Sequence, residues 1–409
     1  MTENMFNFLE SNKNSAVSFL ASLVKIPTIN PPGKNYEKIV SVIEGRCKVL
    51  GLKAKRIVTP KNILCESGIN NGSKRISLVC DWYVGAKKTF HICCHYDVVP
   101  ASGNWTKDPF KPTRVGNKLF GRGTEDMKAN IVVIMSAVEA LKVSGIKPKI
   151  NIQLSFTPDE ETGGVTGLGY LVKKGLVKAD YAMTEGYSDN YISMGNKGVL
   201  WGEVQVTGKP AHASLPYLGV NSFERAAELI KLFQDLKKKL SKKKTRFDIK
   251  DKRAKSGTIV IGGYVKGGEK VNIVPGLTRF SFDRRLIPEE NIRLAKKEIE
   301  GVIKRFNSRF PDSKASVKFF TEGRPVLSKK DKRLFEVASN AVKKVTKKKA
   351  KFSIMPGATD IRYFMAKGVP SLGYSVRGGD SWHSEDEFIY IDSLVDTAKV
   401  YALIMSELK

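Results

Sequence analysis

Along the first half of the chain, short runs of apolar residues alternate with longer stretches in which apolar positions recur every three or four residues. Residues 89–94, 150–156 and 181–184 read as buried strands, and residues 129–143 and 168–174 as helices. This alternation, which continues to about residue 196, is the rhythm of an α/β sheet covered by helices. Near Gly198 the pattern changes. A strand over 200–207 is followed by a helix over 222–240, strands over 258–265 and 278–286, a helix over 291–306 and a strand over 315–321. A β-α-β-β-α-β order of this kind is a ferredoxin-like α+β unit. Residues 331–345 are helical again and the first rhythm resumes to the C-terminus, so the smaller unit reads as an insertion in the larger. The expected domains are 1–197 together with 323–409, and 198–322 between them.

Length and composition agree with two domains. A chain of 409 residues exceeds one ordinary compact core, and 41% hydrophobic content is that of a globular protein. No stretch approaches the roughly 20 consecutive apolar residues of a membrane helix. The N-terminal MTENMFNFLESNKNS lacks a basic start followed by an apolar run, so the chain is expected to be neither secreted nor membrane-spanning. Cys47, Cys65, Cys80, Cys93 and Cys94 are odd in number and scattered, which fits a reducing cytoplasm. The net charge of +29 raises the question of nucleic acid. The basic runs at 237–239, 242–244 and 347–349 lack the interleaved aromatics of a nucleic-acid module and read instead as solvated lysine faces. A positive surface also concentrates anionic substrates.

The chemistry gathers at strand ends. Only four histidines are present. His95 ends the apolar run in CCHYDVVP, with Asp97 two residues on. Open α/β sheets place their sites at the C-terminal edge of strands, and a nearby carboxylate can orient a metal-binding imidazole. A loop histidine with satisfied hydrogen bonds is the alternative. In GRGTEDMKAN, glycines around Arg122 and Thr124 make a tight turn that leaves Asp126 just before the helix near Ala129, as a ligand or as a helix-capping aspartate. Asp159, Glu160 and Glu161 follow the strand 150–156. Successive acids repel one another unless a cation or proton offsets them. Metal-assisted hydrolysis supplies a reason, since one carboxylate ligates while its neighbour takes a proton from the metal-bound water; a plain acidic loop is the alternative. Glu185 closes the strand 181–184, and His383 in SWHSEDEF follows strand-like residues 371–376. Two histidines, two glutamates and one aspartate, with no thiolate, favour zinc or a similar divalent ion. Five ligands exceed the four of a closed structural zinc, so two metals bridged by one carboxylate is the natural arithmetic.

The motifs IPTINPPG, CHYDVVP, GRGTEDMK, PDEETGG, TEG, GKPAHAS, NIVPG, DRRLIPEE, PGATDIR and WHSEDEF follow one another along nearly the whole chain. In these motifs and their order the sequence resembles the zinc peptidases and deacylases that include acetylornithine deacetylase, succinyl-diaminopimelate desuccinylase, glutamate carboxypeptidase and aminoacylase. The resemblance implies one metal held by His95 and Glu185, a second by Glu161 and His383, and Asp126 bridging both. It implies Glu160 as general base and Asp97 as the group that orients His95. The ions would be two zincs, with cobalt or manganese as substitutes. The inserted domain would serve as a lid and dimerisation domain, with a homodimer formed through the helix 222–240 and an edge strand 200–207. His212 matches a histidine that reaches the site from its own or the partner subunit; the bland alternative is a strand-end histidine facing solvent. Asn272 and Arg285 match positions that grip a substrate carboxylate, with Arg284 as competitor because adjacent strand residues face opposite ways. Gly357 and Ala358 would offer backbone contacts to the same group, while Asp360 and Arg362 form a structural pair. The implied reaction is removal of an acetyl- or succinyl-type group from an N-acyl amino acid. A metallo-dipeptidase or carboxypeptidase is the alternative within the same family, and a non-catalytic basic binding protein the alternative outside it.

Overall fold

The computed structural model describes residues 1–70 and 72–409. The chain divides into two compact units, one of Met1–Met194, Ser328–Phe352 and Thr359–Lys409, the other of Gly195–Leu327 and Ser353–Ala358. Among the described residues no helix is long and apolar enough to cross a membrane. All five cysteines are free, Cys65 exposed and the others buried.

The first unit is built on a mixed sheet whose strands run in the order Lys53–Val58, Ile76–Trp82, Asn151–Thr157, Thr89–His95, Tyr181–Thr184, Ser371–Gly373 and Tyr191–Asn196. The four consecutive strands from Asn151–Thr157 to Ser371–Gly373 are parallel. Asn151–Thr157 and Thr89–His95 are buried along their whole length, as parallel strands covered on both faces must be. The helices Ala129–Val143 and Ile391–Glu407 are apolar on most sides and largely buried, which marks them as core rather than surface helices. In register, His95 lies beside Thr157, and Gly373 beside Thr184, so the parallel strands end together along one edge. The residues that follow those ends are the acidic turn, Tyr96-Asp97, Glu185 and the segment leading to His383.

Several elements were not anticipated from the pattern. The helices Thr2–Ser11, Lys13–Val24 and Tyr36–Val49 precede the first strand, and Thr113–Val115, Lys118–Phe120 and Phe388–Tyr390 form a separate small sheet. The strand expected over 371–376 stops at Gly373.

The second unit has a four-stranded antiparallel sheet in the order Thr258–Gly267, Leu277–Leu286, Gly198–Thr207, Lys314–Gly323. Buried and half-buried positions alternate along Gly198–Thr207. Leu200, Val204, Phe280 and Phe282 of the sheet form one core with Leu229 and Phe233 of the helix Ser222–Lys242 and with Ile299 and Phe306 of the helix Ile292–Arg309. Both helices begin at an asparagine whose side chain accepts backbone N–H groups, Asn221 from Phe223 and Glu224, Asn291 from Arg293.

Three sequence expectations change here. The strand expected at an edge, 200–207, is interior, paired on one side with Leu277–Leu286 and on the other with Lys314–Gly323; the edges are Thr258–Gly267 and Lys314–Gly323. The second unit extends from Gly195 to Leu327, beyond 198–322. It also takes in Ser353–Ala358, so Gly357 and Ala358 belong to it and not to the first unit. Hydrogen bonds between distant segments account for that: Ile354 N and Ser353 Oγ donate to the Asp248 carbonyl at 2.9 and 3.0 Å, and Asn196 Nδ2 to the Gly357 carbonyl at 3.0 Å.

Arg284 and Arg285 separate as alternation requires. Arg284 is 1% exposed, with Nη2 2.5 Å from Glu290 Oε1, and a methyl group at Gly257 would overlap its guanidinium. Arg285 is partly exposed and meets Asp283 through Nε and Nη2 at 2.8 and 2.9 Å. Arg284 is therefore a structural residue, and its competition for the substrate-gripping role ends. Arg284→Ala takes the charged partner from the largely covered Glu290 carboxylate, which keeps only the Ile287 N–H at 3.0 Å, and is expected to destabilise the protein by about 3 kcal/mol. Urea unfolding followed by far-UV circular dichroism measures it; an unchanged midpoint would contradict a structural role for the pair.

Candidate metal centre

His95 is 2% exposed at the end of its strand. Its Nδ1 donates to the Asp97 carbonyl oxygen at 3.0 Å, with Asp97 Oδ1 3.4 Å away, which turns Nε2 toward Asp126 Oδ1 at 3.0 Å. The Asp97 carboxylate does more than orient His95. It accepts the backbone N–H groups of Glu160 and Glu161, both at 3.2 Å, and Nδ2 of Asn30 at 2.9 Å, and so ties the histidine-bearing strand end to the acidic turn.

The three acids of that turn have separate fates. Asp159 is buried with a left-handed backbone (φ 66°), and its carboxylate accepts Arg75 Nε at 2.8 Å, Tyr36 Oη at 2.9 Å, Asn30 Nδ2 at 3.1 Å and Thr166 Oγ1. It is an anchor, its charge offset by a buried arginine. Glu160 Oε1 lies 3.8 Å from Arg362 Nη1, and Glu161 Oε2 lies 2.9 Å from His383 Nε2. Gly164, at φ +64°, leaves room for Asp360; a methyl group there would overlap the Asp360 carboxylate. Arg362 Nη2 stands 3.6 Å from Asp360 Oδ1 and donates to the Gly163 carbonyl at 2.6 Å, so Arg362 serves Asp360, Glu160 and the turn together.

Asp126 caps no helix. The helix starts at Ala129 without a side-chain cap, while Asp126 directs Oδ1 to His95 and Oδ2 to His383 Nε2 at 3.5 Å. Its loop is held from beneath by the buried pair Arg122 Nη1 to Glu387 Oε2 at 2.7 Å, and by Lys128, whose Nζ donates to the carbonyls of Leu23 and Ile26. Burial lowers the Lys128 pKa to about 7. His383 is half exposed and left-handed (φ 64°). Glu185 accepts from Thr184 Oγ1 and, at 3.3 Å, from the Asp360 N–H. Among the described residues, His95, Asp126 and Glu161 offer ligand atoms within 4.8 Å of one another, and both Glu185 and His383 stand outside that group.

The electrostatics follow from burial and crowding. Burial, with the Asp126 charge adding to it, raises Glu161 to about 7 against the pull of His383. Burial also raises Glu160, helped by the Asp360 charge, and raises Glu185 and Asp360, the last to about 7. His383 rises to about 10 through its hydrogen bonds to Asp126 and Glu161. Burial opposes charge on His95 and on Asp126, yet their mutual bonds prevail: His95 is raised and Asp126 held low. Burial and crowding together thus favour the protonated forms of Glu160, Glu161, Glu185, Asp360 and both histidines. A divalent cation replaces those protons, and a donor set of imidazole nitrogen and carboxylate oxygen suits zinc and its neighbours, so the residues present fit the implied metals.

The remaining candidates lie in the second unit. His212 is exposed, its Nδ1 2.7 Å from Ser214 Oγ, and its backbone bridges to Ile273 next to Asn272, whose carbonyl accepts Ala213 N at 3.0 Å. Arg285 is engaged by Asp283, and Gly357 by Asn196. The anchors Asn30, Arg75, Asp159, Arg122 and Glu387 were not assigned from the sequence, although all but Arg75 sit within a motif; only their partners reveal the role.

The succinyl-diaminopimelate desuccinylase of Pelagibacter ubique is 27% identical over 403 residues, spanning 95% of this chain and 97% of that protein. Aminoacylase-1 of Sus scrofa is 26% identical over 416 residues, 97% of this chain and 96% of that protein. The di-peptidase Dug1p of Saccharomyces cerevisiae shares the fold, with a TM-score of 0.80 over 100% of this chain and 98% of that one at 17% identity. The sequence model of Peptidase family M20/M25/M40 matches residues 91–407, well over half of the chain, and the chain belongs to that family.

Proposed function

We propose that the chain is a metal-dependent amidohydrolase that removes an acyl group, of acetyl or succinyl type, from an N-acyl amino acid. The observation that carries this reading is Asp126, one carboxylate oxygen toward each of two imidazoles, with Glu160 beside a ligand candidate but engaged with a different partner. Relatives named for a desuccinylase and an aminoacylase, matched along nearly their full length, support the acyl assignment.

His95 with Glu185, and His383 with Glu161, would hold two divalent ions, Asp126 serving both; zinc suits the donors best, with cobalt or manganese as substitutes. When bound, such ions polarise an amide carbonyl and acidify water. Glu160 takes the proton of the attacking water on its carboxylate and returns it to the departing amine. Its burial, with the Asp360 charge beside it, strengthens it as a proton acceptor. Asp97 fixes the His95 ring. His212 donates to the developing oxyanion, and Arg285, with Asn272 and the backbone of Gly357 and Ala358, holds the substrate carboxylate. For that, the Arg285 fork exchanges Asp283 for the substrate, a swap between two carboxylates of matching geometry.

The second unit supports a homodimer. Phe223, Val260 and Val265 are exposed along a groove of about 410 Å³ between the helix Ser222–Lys242 and the edge strand Thr258–Gly267, floored by Phe280 and Ile259. An edge strand flanked by apolar side chains offers unpaired backbone groups to a second copy of itself, which a two-fold axis satisfies on both chains at once.

Glu160→Ala is expected to retain its metal and to lose about 100- to 10,000-fold in kcat, whereas Glu161→Ala loses metal. Elemental analysis and turnover of N-acetyl and N-succinyl amino acids, with dipeptides as comparison, read this out. Exchanged phenotypes would reverse the two roles, and dipeptides as the faster substrates would move the reading to a metallo-dipeptidase. Glu161 and His383 carry protons that a cation must displace near pH 7. Metal affinity should therefore rise with pH from about 6 to 8, with proton release visible in weakly buffered calorimetry; pH-independent affinity contradicts ligation by these groups. Val260→Glu should convert the dimer to a monomer in light scattering, and a wild type already monomeric at working concentration would remove the dimer.

A further inference from the structure

The loop that carries Asp126 and the segment that carries His383 exchange carboxylates. From the His383 segment, Glu387 accepts the backbone N–H groups of Gly123 at 3.0 Å, Glu125 at 2.8 Å and Asp126 at 3.1 Å, all on Oε1. From the Asp126 loop, Glu125 accepts the N–H of Asp380 at 3.2 Å on one oxygen, and the N–H and hydroxyl of Ser381, both at 3.1 Å, on the other. Both glutamates are buried, Glu387 completely and Glu125 to 5% exposure. Glu387 has Arg122 to offset its charge, while Glu125 stands against backbone N–H groups alone with that hydroxyl.

The backbone between them needs such a hold. Asp380, His383 and Asp386 are all left-handed, at φ 51°, 64° and 52°, a conformation that residues other than glycine rarely adopt without outside support. Gly378 completes the fit, because a methyl group there would overlap the Glu125 carboxylate. His383 is half exposed and gains little fixation from packing. Hydrogen bonds hold its turn from both ends: Glu125 at Asp380 and Ser381 before the histidine, and after it Glu385, which accepts the Asn104 N–H at 2.7 Å, and Asp386, which accepts the Thr106 N–H at 3.0 Å and hydroxyl at 2.7 Å.

We propose that Glu125 is a positioning residue for the metal centre: by holding the turn at Asp380 and Ser381 it fixes His383 opposite Asp126 and Glu161, while Glu387 does the same for Asp126 from the other side. This rests on the two-metal reading above. Groups that orient metal ligands in this way contribute about 10- to 100-fold to metal affinity. The effect should fall on the ion that His383 holds and spare the one that His95 holds.

The test is a zinc titration of the whole protein against a competing chelator, with metal per chain counted for wild type, Glu125→Ala, Gly378→Ala, Ser381→Ala and His383→Ala. Melting of the metal-free form is recorded for each. Glu125→Ala should hold one ion about 10- to 100-fold more weakly, the same ion that His383→Ala loses, with the other ion and the metal-free melting temperature unchanged. Gly378→Ala, which displaces Glu125 without removing it, should do the same, and Ser381→Ala should do so to a smaller degree. Excess zinc should return the turnover of Glu125→Ala to the wild-type kcat. Wild-type affinity for both ions in Glu125→Ala and Gly378→Ala overturns the proposal. So does equal weakening of both ions with a lowered metal-free melting temperature, which is the mark of a merely structural residue. Should wild type hold a single ion, the two-metal reading fails, and the proposal stands or falls on whether Glu125→Ala weakens that ion.

Discussion

Carboxylates drawn together out of water repel one another, and in this chain Asp126, Glu160, Glu161, Glu185 and Asp360 are gathered along the ends of four parallel strands. Burial, with that repulsion added to it, raises their pKa values, Asp126 excepted between its two imidazoles. Only a cation or a set of protons relieves it. The cations the chain itself supplies stand around the cluster rather than in it. Arg75 meets Asp159, Arg122 meets Glu387, and Arg362 reaches Asp360 and Glu160 from the side. The centre is left to imidazole and carboxylate groups, the donor types that suit a divalent ion.

Holding such ligands is a second problem, since none of their loops is fixed by secondary structure alone. The solution repeats through the first unit: a buried acid accepts the backbone N–H groups of a loop that carries a different functional residue. Asp97 holds the turn of Glu160 and Glu161, Glu387 the loop of Asp126, and Glu125 the turn before His383. Asp159 holds its own turn through Arg75, Tyr36 and Asn30. Each anchor joins segments far apart in the chain, so the site is assembled by long-range hydrogen bonds laid over a short-range scaffold.

The second unit solves a simpler problem by simpler means, an antiparallel sheet with two helices over one core. Its polar specialisation lies in two adjacent arginines with opposite surroundings, Arg284 buried against Glu290 and Arg285 at the surface against Asp283. Phe223, Val260, Tyr264 and Val265 are exposed on or beside the edge strand Thr258–Gly267.

Local periodicity was enough to locate the helix Ala129–Val143, the strand Tyr181–Thr184 and the six main elements of the second unit to within a few residues at their ends, because burial of one face writes itself into neighbouring positions. The strand-end positions of His95 and Glu185 were legible for the same reason, with Glu161 four residues past the end of its strand, whereas His383 lies ten residues beyond the strand that stops at Gly373. The sequence could not say that Asp159 is paired with an arginine 84 positions earlier, that Asp126 serves two histidines and no helix end, or that Glu125 and Glu387 exchange partners. Nor could it say that the strand of Leu200 is interior while that of Val260 is an edge, or which of Arg284 and Arg285 is buried. Residue type and spacing determine what a segment can do on its own. Which acid ligates, which anchors and which strand is left open depend on partners distant in sequence, and those are decided only when the chain has folded.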